Sequence, residues 1–149
     1  MSEEQGPGRG ERRARETMAR FRAEAEEYVG PQLQADEKIV AVLLKAMTRP
    51  IYPLIGLFGL IGLRAYAVVV TDRRVLFVRL GLSKWEPRAL EDAFARDQVR
   101  VVEWRPTSRI SGTGLALLVL DRAGQPFKLR PEPNSGADEL VDALGGVVG

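Results

Sequence analysis

The strongest constraint on the fold of this chain is a set of short segments that are apolar at consecutive positions. They read IVAVLL (39–44), AVVV (67–70), VLFV (75–78) and LALLVL (115–120). Their length and their content of valine and isoleucine predict β-strands. A strand with one solvated face usually alternates apolar and polar residues. We therefore predict that a further layer covers the outer side of these strands.

That layer can come from an N-terminal helix, from the apolar stretch 51–63, from a C-terminal helix or from a second copy of the chain. The alternative, which the sequence leaves open, is that valine and isoleucine favour the strand conformation on a partly exposed surface. The two interpretations differ in whether the outer face of the sheet is buried.

Turn-forming residues between the apolar runs divide the chain into seven predicted strands. Six lie at about 38–47, 66–71, 74–80, 98–104, 115–121 and 126–130, and one lies somewhere within 85–94. Seven short strands in 149 residues predict a mainly β domain, either a barrel or a sandwich. The segment 88–97 suits a helical turn as well as a strand.

An amphipathic helix is predicted over residues 10–30, after a polar tail at 1–9 that we expect to be disordered. Its apolar stripe has steps of three and four and consists of Ala14, Met18, Phe21, Ala25 and Tyr28. Its arginines cluster toward the start and its glutamates toward the end, which opposes the helix dipole. Docking of the stripe must therefore supply much of its stability.

A short helix is predicted within residues 135–144. Asn134 or Ser135 can act as its N-cap, because their side chains accept hydrogen bonds from the first free N–H groups of a helix. Gly145 follows its end, as is common at helix C-termini.

The composition excludes several classes of function. The chain has no cysteine and no histidine, which removes disulfides, thiolate metal sites and imidazole catalysis in their usual forms. A net charge of +2 with scattered basic residues argues against a nucleic-acid partner. The carboxylate pairs Glu91/Asp92 and Asp138/Glu139 have no nucleophile or metal-ligand pattern beside them. We expect a non-enzymatic protein without cofactor or metal, and no small-molecule substrate is identified.

The stretch IYPLIGLFGLIGL at 51–63 is too short to span a membrane, which requires about 20 apolar residues. Its proline and three glycines also weaken a helix. The first residues have no apolar central region of the kind that a cleavable signal peptide needs. We therefore expect cytoplasmic residence.

The sequence YAVVVTDRRVLFVRL (66–80) resembles the signature hairpin of bacterial pleckstrin-homology-like domains. The similarity continues, in order, through EKIVAVLL, ARDQVRVVEW, LLVLDRAGQPFKLR and the final short helix. It covers residues 36–145 and implies a partly open seven-stranded antiparallel barrel with a C-terminal capping helix. The amphipathic helix would precede this domain.

The resemblance places 51–63 in the loop between the first two strands. In eukaryotic relatives that bind phosphoinositides this loop carries basic residues, whereas here it is apolar, so we do not expect specific inositide recognition. The loop can dip into a bilayer interface, fold back as a lid, or serve self-association. The candidate membrane or partner contacts are Arg49, Leu54, Leu57, Phe58, Leu60 and Arg64.

The turn Thr71-Asp72-Arg73-Arg74 forms the tip of the predicted hairpin. The Asp72 carboxylate is expected to accept a hydrogen bond from a backbone N–H two residues on. Arg73 and Arg74 then lie at or beside the tip, where they are either solvated turn residues or contacts for an anion.

These patterns predict a non-enzymatic binding module. The leading interpretation is recognition of a protein partner, or of a second copy, through an apolar outer surface. The alternative is peripheral association with the inner face of the membrane through the loop 51–63, with Arg49 and Arg64 on its two sides.

Overall fold

The computed structural model describes residues 9–48, 63–106, 116–132 and 135–148. Its elements are α1 (Arg9–Val29), a 3-10 turn (Gly30–Gln32), β1 (Ile39–Met47), β2 (Ala65–Thr71), β3 (Arg74–Leu80), β4 (Pro87–Ala95), a second 3-10 turn (Arg96–Gln98), β5 (Val99–Arg105), β6 (Leu117–Arg122), β7 (Gln125–Leu129) and α2 (Ala137–Ala143). The predicted mainly β class is confirmed, and the ambiguous segment 88–97 is a strand followed by the second 3-10 turn.

The strands form two antiparallel sheets. One has the order β1-β2-β3-β4 and the other the order β5-β6-β7. Within the described ranges an antiparallel bridge between Met47 and Arg130 links the two sheets, and they do not close into a barrel. The architecture is therefore a pair of antiparallel sheets with a helix before and after them in the chain.

The inner core lies between the two sheets. Val68 and Phe77 of the four-stranded sheet are fully buried there with Leu118 and Leu120 of the three-stranded sheet. Leu140 of α2 belongs to the same cluster. Along β2, β3, β6 and β7 the residues of this core are spaced by two, as in Tyr66, Val68 and Val70 of β2, because successive side chains of a strand point to opposite faces.

The outer core lies on the opposite face of the four-stranded sheet. There Val69, Leu76 and Val78 form a buried cluster with Ala25 and Val29 of α1. All seven residues of β2 are buried, so this sheet is covered on both faces. The predicted further layer is confirmed for this sheet, and α1 supplies it.

The three-stranded sheet alternates along β5 but not along β6. In β5, Val99 and Val101 are buried while Arg100 and Val102 are exposed, so this strand presents one face to the core and one to solvent. In β6, Leu118, Val119 and Leu120 are all buried, so the middle of this strand is covered on both faces.

The start of α2 differs from the prediction. Its N-cap is Gly136, with a φ of 97°, and no side chain caps the helix. A Cβ atom at this position would lie 2.2 Å from the carbonyl oxygen of Val42, so close packing against β1 requires glycine here. The expected capping role of Ser135 is wrong, and Asn134 lies outside the described residues.

In the described ranges, no helix combines the length and the apolar character that crossing a membrane requires.

Candidate functional site

Five of the predicted contact residues, Arg49, Leu54, Leu57, Phe58 and Leu60, lie outside the described residues, and their roles stay predictions. The sixth, Arg64, is exposed and directly precedes β2. Its backbone is tied to the end of β1, because Thr48 N donates to Arg64 O at 2.9 Å and Arg64 N donates to Thr48 Oγ1 at 3.2 Å. Thr48 and Arg64, on either side of the connection 49–62, are therefore held together at one end of β1 and β2.

Arg64 lines a cleft of about 440 Å³ at this end of the sheet, together with Arg79, Arg88 and the exposed Leu82. Strand register brings these positions together, since Ala65 pairs with Leu80 and Arg79 pairs with Ala89. We call this site the arginine cleft.

Two of the three guanidinium groups in the arginine cleft are held by carboxylates. Arg64 Nη1 donates to Glu91 Oε1 at 2.9 Å, and Arg88 pairs with Glu86 at 3.0 Å. Arg79 is exposed and forms no ion pair with the residues that the structure describes. Three cations therefore face two carboxylates, and Arg79 supplies the excess positive charge.

Tyr66, which belongs to the inner core, interacts with the ion pair of Arg64 and Glu91. Burial raises the pKa of the Tyr66 phenol, and hydrogen bonding to Glu91 raises it further. The phenol therefore stays neutral. With two arginines in ion pairs, a third that forms no ion pair with the described residues, and an exposed leucine, the cleft can accept anionic oxygens beside an apolar group.

The hairpin tip between β2 and β3 is organised by Thr71. Its hydroxyl oxygen accepts from the backbone N–H of Arg73 at 3.1 Å and of Arg74 at 2.8 Å. The Asp72 carboxylate instead accepts from Lys38 N at 3.1 Å. The hydrogen bond from Arg74 N that was predicted for the Asp72 carboxylate is therefore accepted by the Thr71 hydroxyl.

Arg74 is committed to an internal ion pair, which we call the Glu37–Arg74 latch. Arg74 Nη2 donates to Glu37 Oε1 at 2.7 Å, and Arg74 Nε donates to Glu37 Oε2 at 3.0 Å. Thr71 Oγ1 donates to the same carboxylate at 2.6 Å. The bond from Arg74 is the main cause that lowers the pKa of the buried Glu37 to about 2.

The Glu37–Arg74 latch limits the anion contact that was predicted at the hairpin tip. An anion at Arg74 would have to compete with Glu37 for the guanidinium group. Arg73 is exposed and donates from Nη1 to Gln34 Oε1 at 3.1 Å. Anion contact at Arg73 and Arg74 stays a prediction.

A second exposed feature lies at the edge of the three-stranded sheet. Val102, Val147 and Val148 are each about half exposed. Val147 bridges Val101 in parallel, and Val148 N donates to Val101 O at 2.9 Å. Val147 and Val148 thus lie along β5 with their side chains about half exposed to solvent.

The sequence alone pointed to Arg64 but missed Arg79, Leu82 and Arg88. The only local signal was that arginines interrupt the apolar pattern at the end of β3 and the start of β4. Among the described residues no group of three acidic side chains is arranged to hold a metal ion. Comparison with models of known protein families, with curated proteins and with solved structures found no match.

Proposed function

We propose that the protein is a non-enzymatic binding module that attaches to an anionic membrane surface through the arginine cleft. The observation that carries this proposal is the grouping of Arg64, Arg79 and Arg88 around the exposed Leu82. The cleft includes Leu63 and Arg64, which directly follow the apolar connection 49–62 in the sequence.

The chemistry of the cleft suits lipid phosphate. A guanidinium group offers several N–H donors in a planar fork that matches a phosphate, and the carboxylates of Glu91 and Glu86 hold two of the three in place. Each basic residue near an anionic membrane surface contributes about 1 kcal/mol. Leu82 can enter the interfacial region while the arginines stay at the phosphates.

The fold supports the same class of protein. Seven antiparallel strands in two sheets and a final helix that packs on the inner core agree with part of what the resemblance to bacterial pleckstrin-homology-like domains implies, and the partly open barrel that it also implies belongs to the proposal. Membership of that family is part of the proposal, as is work at the inner face of the membrane.

Co-sedimentation with vesicles tests the proposal. The protein should pellet with vesicles that contain phosphatidylserine and remain in solution with pure phosphatidylcholine. Arg79→Gln should weaken pelleting severalfold, whereas Arg100→Gln, an exposed arginine on β5, should not. The double variant Leu57→Asp/Phe58→Asp tests the contribution of the connection. Absence of wild-type pelleting with anionic vesicles would refute the proposal.

A second candidate function is recognition of a protein partner or of a second copy. The outer face of the four-stranded sheet, on which this prediction rested, is occupied by α1. The exposed Val102, Val147 and Val148 favour the edge of β5 instead, because exposed apolar patches commonly mark interfaces. Light scattering of wild type and of Val102→Asp/Val148→Asp tests it: a mass above one chain that falls in the variant supports self-association there. A single-chain mass in both would exclude self-association at this edge.

A further inference from the structure

Lys45 of β1 lies between two aromatic rings from different parts of the chain. Its Nζ is 5.2 Å from the ring centroid of Phe21 on α1 and 4.9 Å from that of Trp85, in the loop between β3 and β4. The Glu132 carboxylate lies 3.7 Å from the same Nζ, and 15 % of the Lys45 side chain is exposed. The attraction between a cation and an aromatic face grows as water is removed, so Lys45 joins α1 to this loop.

The backbone at this junction is strained. Lys45 has a φ of 54° and Trp85 a φ of 60°, in the left-handed region that residues with a Cβ atom rarely adopt. Lys45 lies where the register of β1 against β2 shifts, between Leu43 and Ala46. Strained conformations persist where the surrounding contacts determine them, and they cluster at functional sites. Because the two strained residues interact with each other, the junction is a candidate functional feature.

The loop that carries Trp85 is short and is closed by backbone hydrogen bonds. Trp85 N donates to Gly81 O at 3.0 Å, and Gly81 N donates to Glu86 O at 2.9 Å. A Cβ atom on Gly81 would lie 2.4 Å from Glu86 Oε1, so the two ends of the loop pack closely against each other. A change in the position of Trp85 therefore reaches both ends of the loop.

Both ends of this loop are connected to the arginine cleft. Gly81 and the exposed Leu82 line the cleft. Glu86 Oε1 accepts from Arg88 Nε at 3.0 Å, and Arg88 lines the cleft as well. An unbroken series of contacts thus leads from Phe21 on α1 to the arginine cleft.

We propose that Lys45 is a positioning residue for the arginine cleft. Through its contact with Trp85, it makes the position of the β3–β4 loop depend on the docking of α1. The loop in turn holds Leu82 and Arg88 where an anionic ligand meets them. The identity of that ligand, an anionic lipid surface, rests on the proposed function. The coupling between α1 and the loop is a property of the protein alone and is tested separately.

Hydrogen exchange of the full chain without lipid tests the coupling. Lys45→Met keeps the length of the side chain and removes its charge. It should speed exchange at the amides of Gly81 and Trp85 about tenfold, because both amides are hydrogen-bonded within the loop and opening of the loop exposes them. Lys45→Arg keeps a cation for both rings and should restore the wild-type rates.

A double variant shows whether the coupling passes through Lys45. Phe21→Leu changes α1 and not the loop, yet it should speed exchange at the Trp85 amide. In the Lys45→Met background it should add nothing, because residues that act through one another have non-additive effects. Arg20→Met is the matched control. It removes an equal charge that lies 5.5 Å from the same Phe21 ring, and it should leave the loop unchanged.

Binding to vesicles that contain phosphatidylserine tests the consequence for the cleft. Lys45→Met should weaken binding severalfold more than Arg20→Met, although both variants lose one positive charge. Lys45→Arg should bind like the wild type. If Lys45 served the stability of the fold alone, folded Lys45→Met and Arg20→Met would bind equally well.

Three results would overturn the proposal. The first is loop exchange that is the same in the wild type and in Lys45→Met. The second is an effect of Phe21→Leu that is equally large with and without Lys45. The third is equal vesicle binding by Lys45→Met and Arg20→Met when the wild type binds. A wild type that does not bind anionic vesicles would refute the proposed function, and the exchange rates would still decide the coupling.

Discussion

Substitution of Glu37 by glutamine tests the Glu37–Arg74 latch directly. The change keeps the size of the side chain and one acceptor oxygen, but it removes the negative charge that meets two nitrogens of Arg74. The latch joins the segment after α1 to the hairpin tip, so its loss should weaken the domain as a whole.

The magnitude follows from the pKa of the carboxyl group. The folded protein lowers the pKa of Glu37 from 4.5 to about 2, and each unit corresponds to about 1.36 kcal/mol of differential stabilisation. The charged form therefore contributes roughly 3 kcal/mol near neutral pH. Because glutamine retains part of the hydrogen bonding, we expect Glu37→Gln to lower the free energy of unfolding by about 2–3 kcal/mol.

The pH dependence gives the sharper test. Because the folded pKa lies below the unfolded value, the contribution is complete above pH 4.5 and is lost as the pH falls toward 2. The difference in unfolding free energy between wild type and Glu37→Gln should thus be largest at neutral pH and shrink below about pH 4.5. Urea denaturation followed by circular dichroism at several pH values measures it.

Two comparisons complete the experiment. Glu27→Gln, on the exposed side of α1, should change stability by less than about 0.5 kcal/mol. Arg74→Lys keeps the charge but not the two-point contact and should cost about 1–2 kcal/mol. If the wild type and Glu37→Gln differ equally at neutral and at acid pH, the charge of Glu37 is not the source of the stability and the reasoning fails.

Three further predictions concern stability and need only denaturation curves. Ala25→Glu, at a buried position of α1, should cost roughly 2–4 kcal/mol, whereas the exposed Ala23→Glu should cost little; equal costs would contradict docking of α1. Ala123 has a φ of 50° beside Gly124 in the β6–β7 turn, so Ala123→Asn should stabilise by about 0.5–1 kcal/mol, and a lower melting temperature would count against this. Gly136→Ala should cost several times more than Gly145→Ala, because both have positive φ but a Cβ clash exists at Gly136 alone of the two; comparable losses would show that the close approach to β1 is not rigid.

The elements were predictable wherever a local pattern carries the information. The stripe of Met18, Phe21, Ala25 and Tyr28 faces the outer core, because helical periodicity alone decides which residues share a face. In a strand, successive side chains point to opposite faces. Both faces of β2 are apolar in sequence, and both are buried in the structure. The predicted cover followed from the cost of exposing such a strand on either side.

The sites were less predictable because they depend on which distant strands pair. Arg79 and Arg88 reach one cleft through the register of β3 and β4, which no local pattern specifies. Glu37 meets Arg74 from 37 positions away. Thr71 and Asp72 can both accept hydrogen bonds from the backbone N–H groups of the turn. Which of them does so depends on Lys38, because its backbone N–H donates to the Asp72 carboxylate.

The covering of the four-stranded sheet by α1 has a consequence for biosynthesis. The helix leaves the ribosome before the surface on which it rests is complete, because that surface includes strands that extend to Ala95. At about 5–20 residues per second, α1 waits for several seconds before that surface exists. A solitary helix whose charges oppose its dipole is only marginally stable in water. The helix is therefore synthesised before these strands but becomes ordered only after them, and during that interval its apolar stripe is available to chaperones or to neighbouring chains.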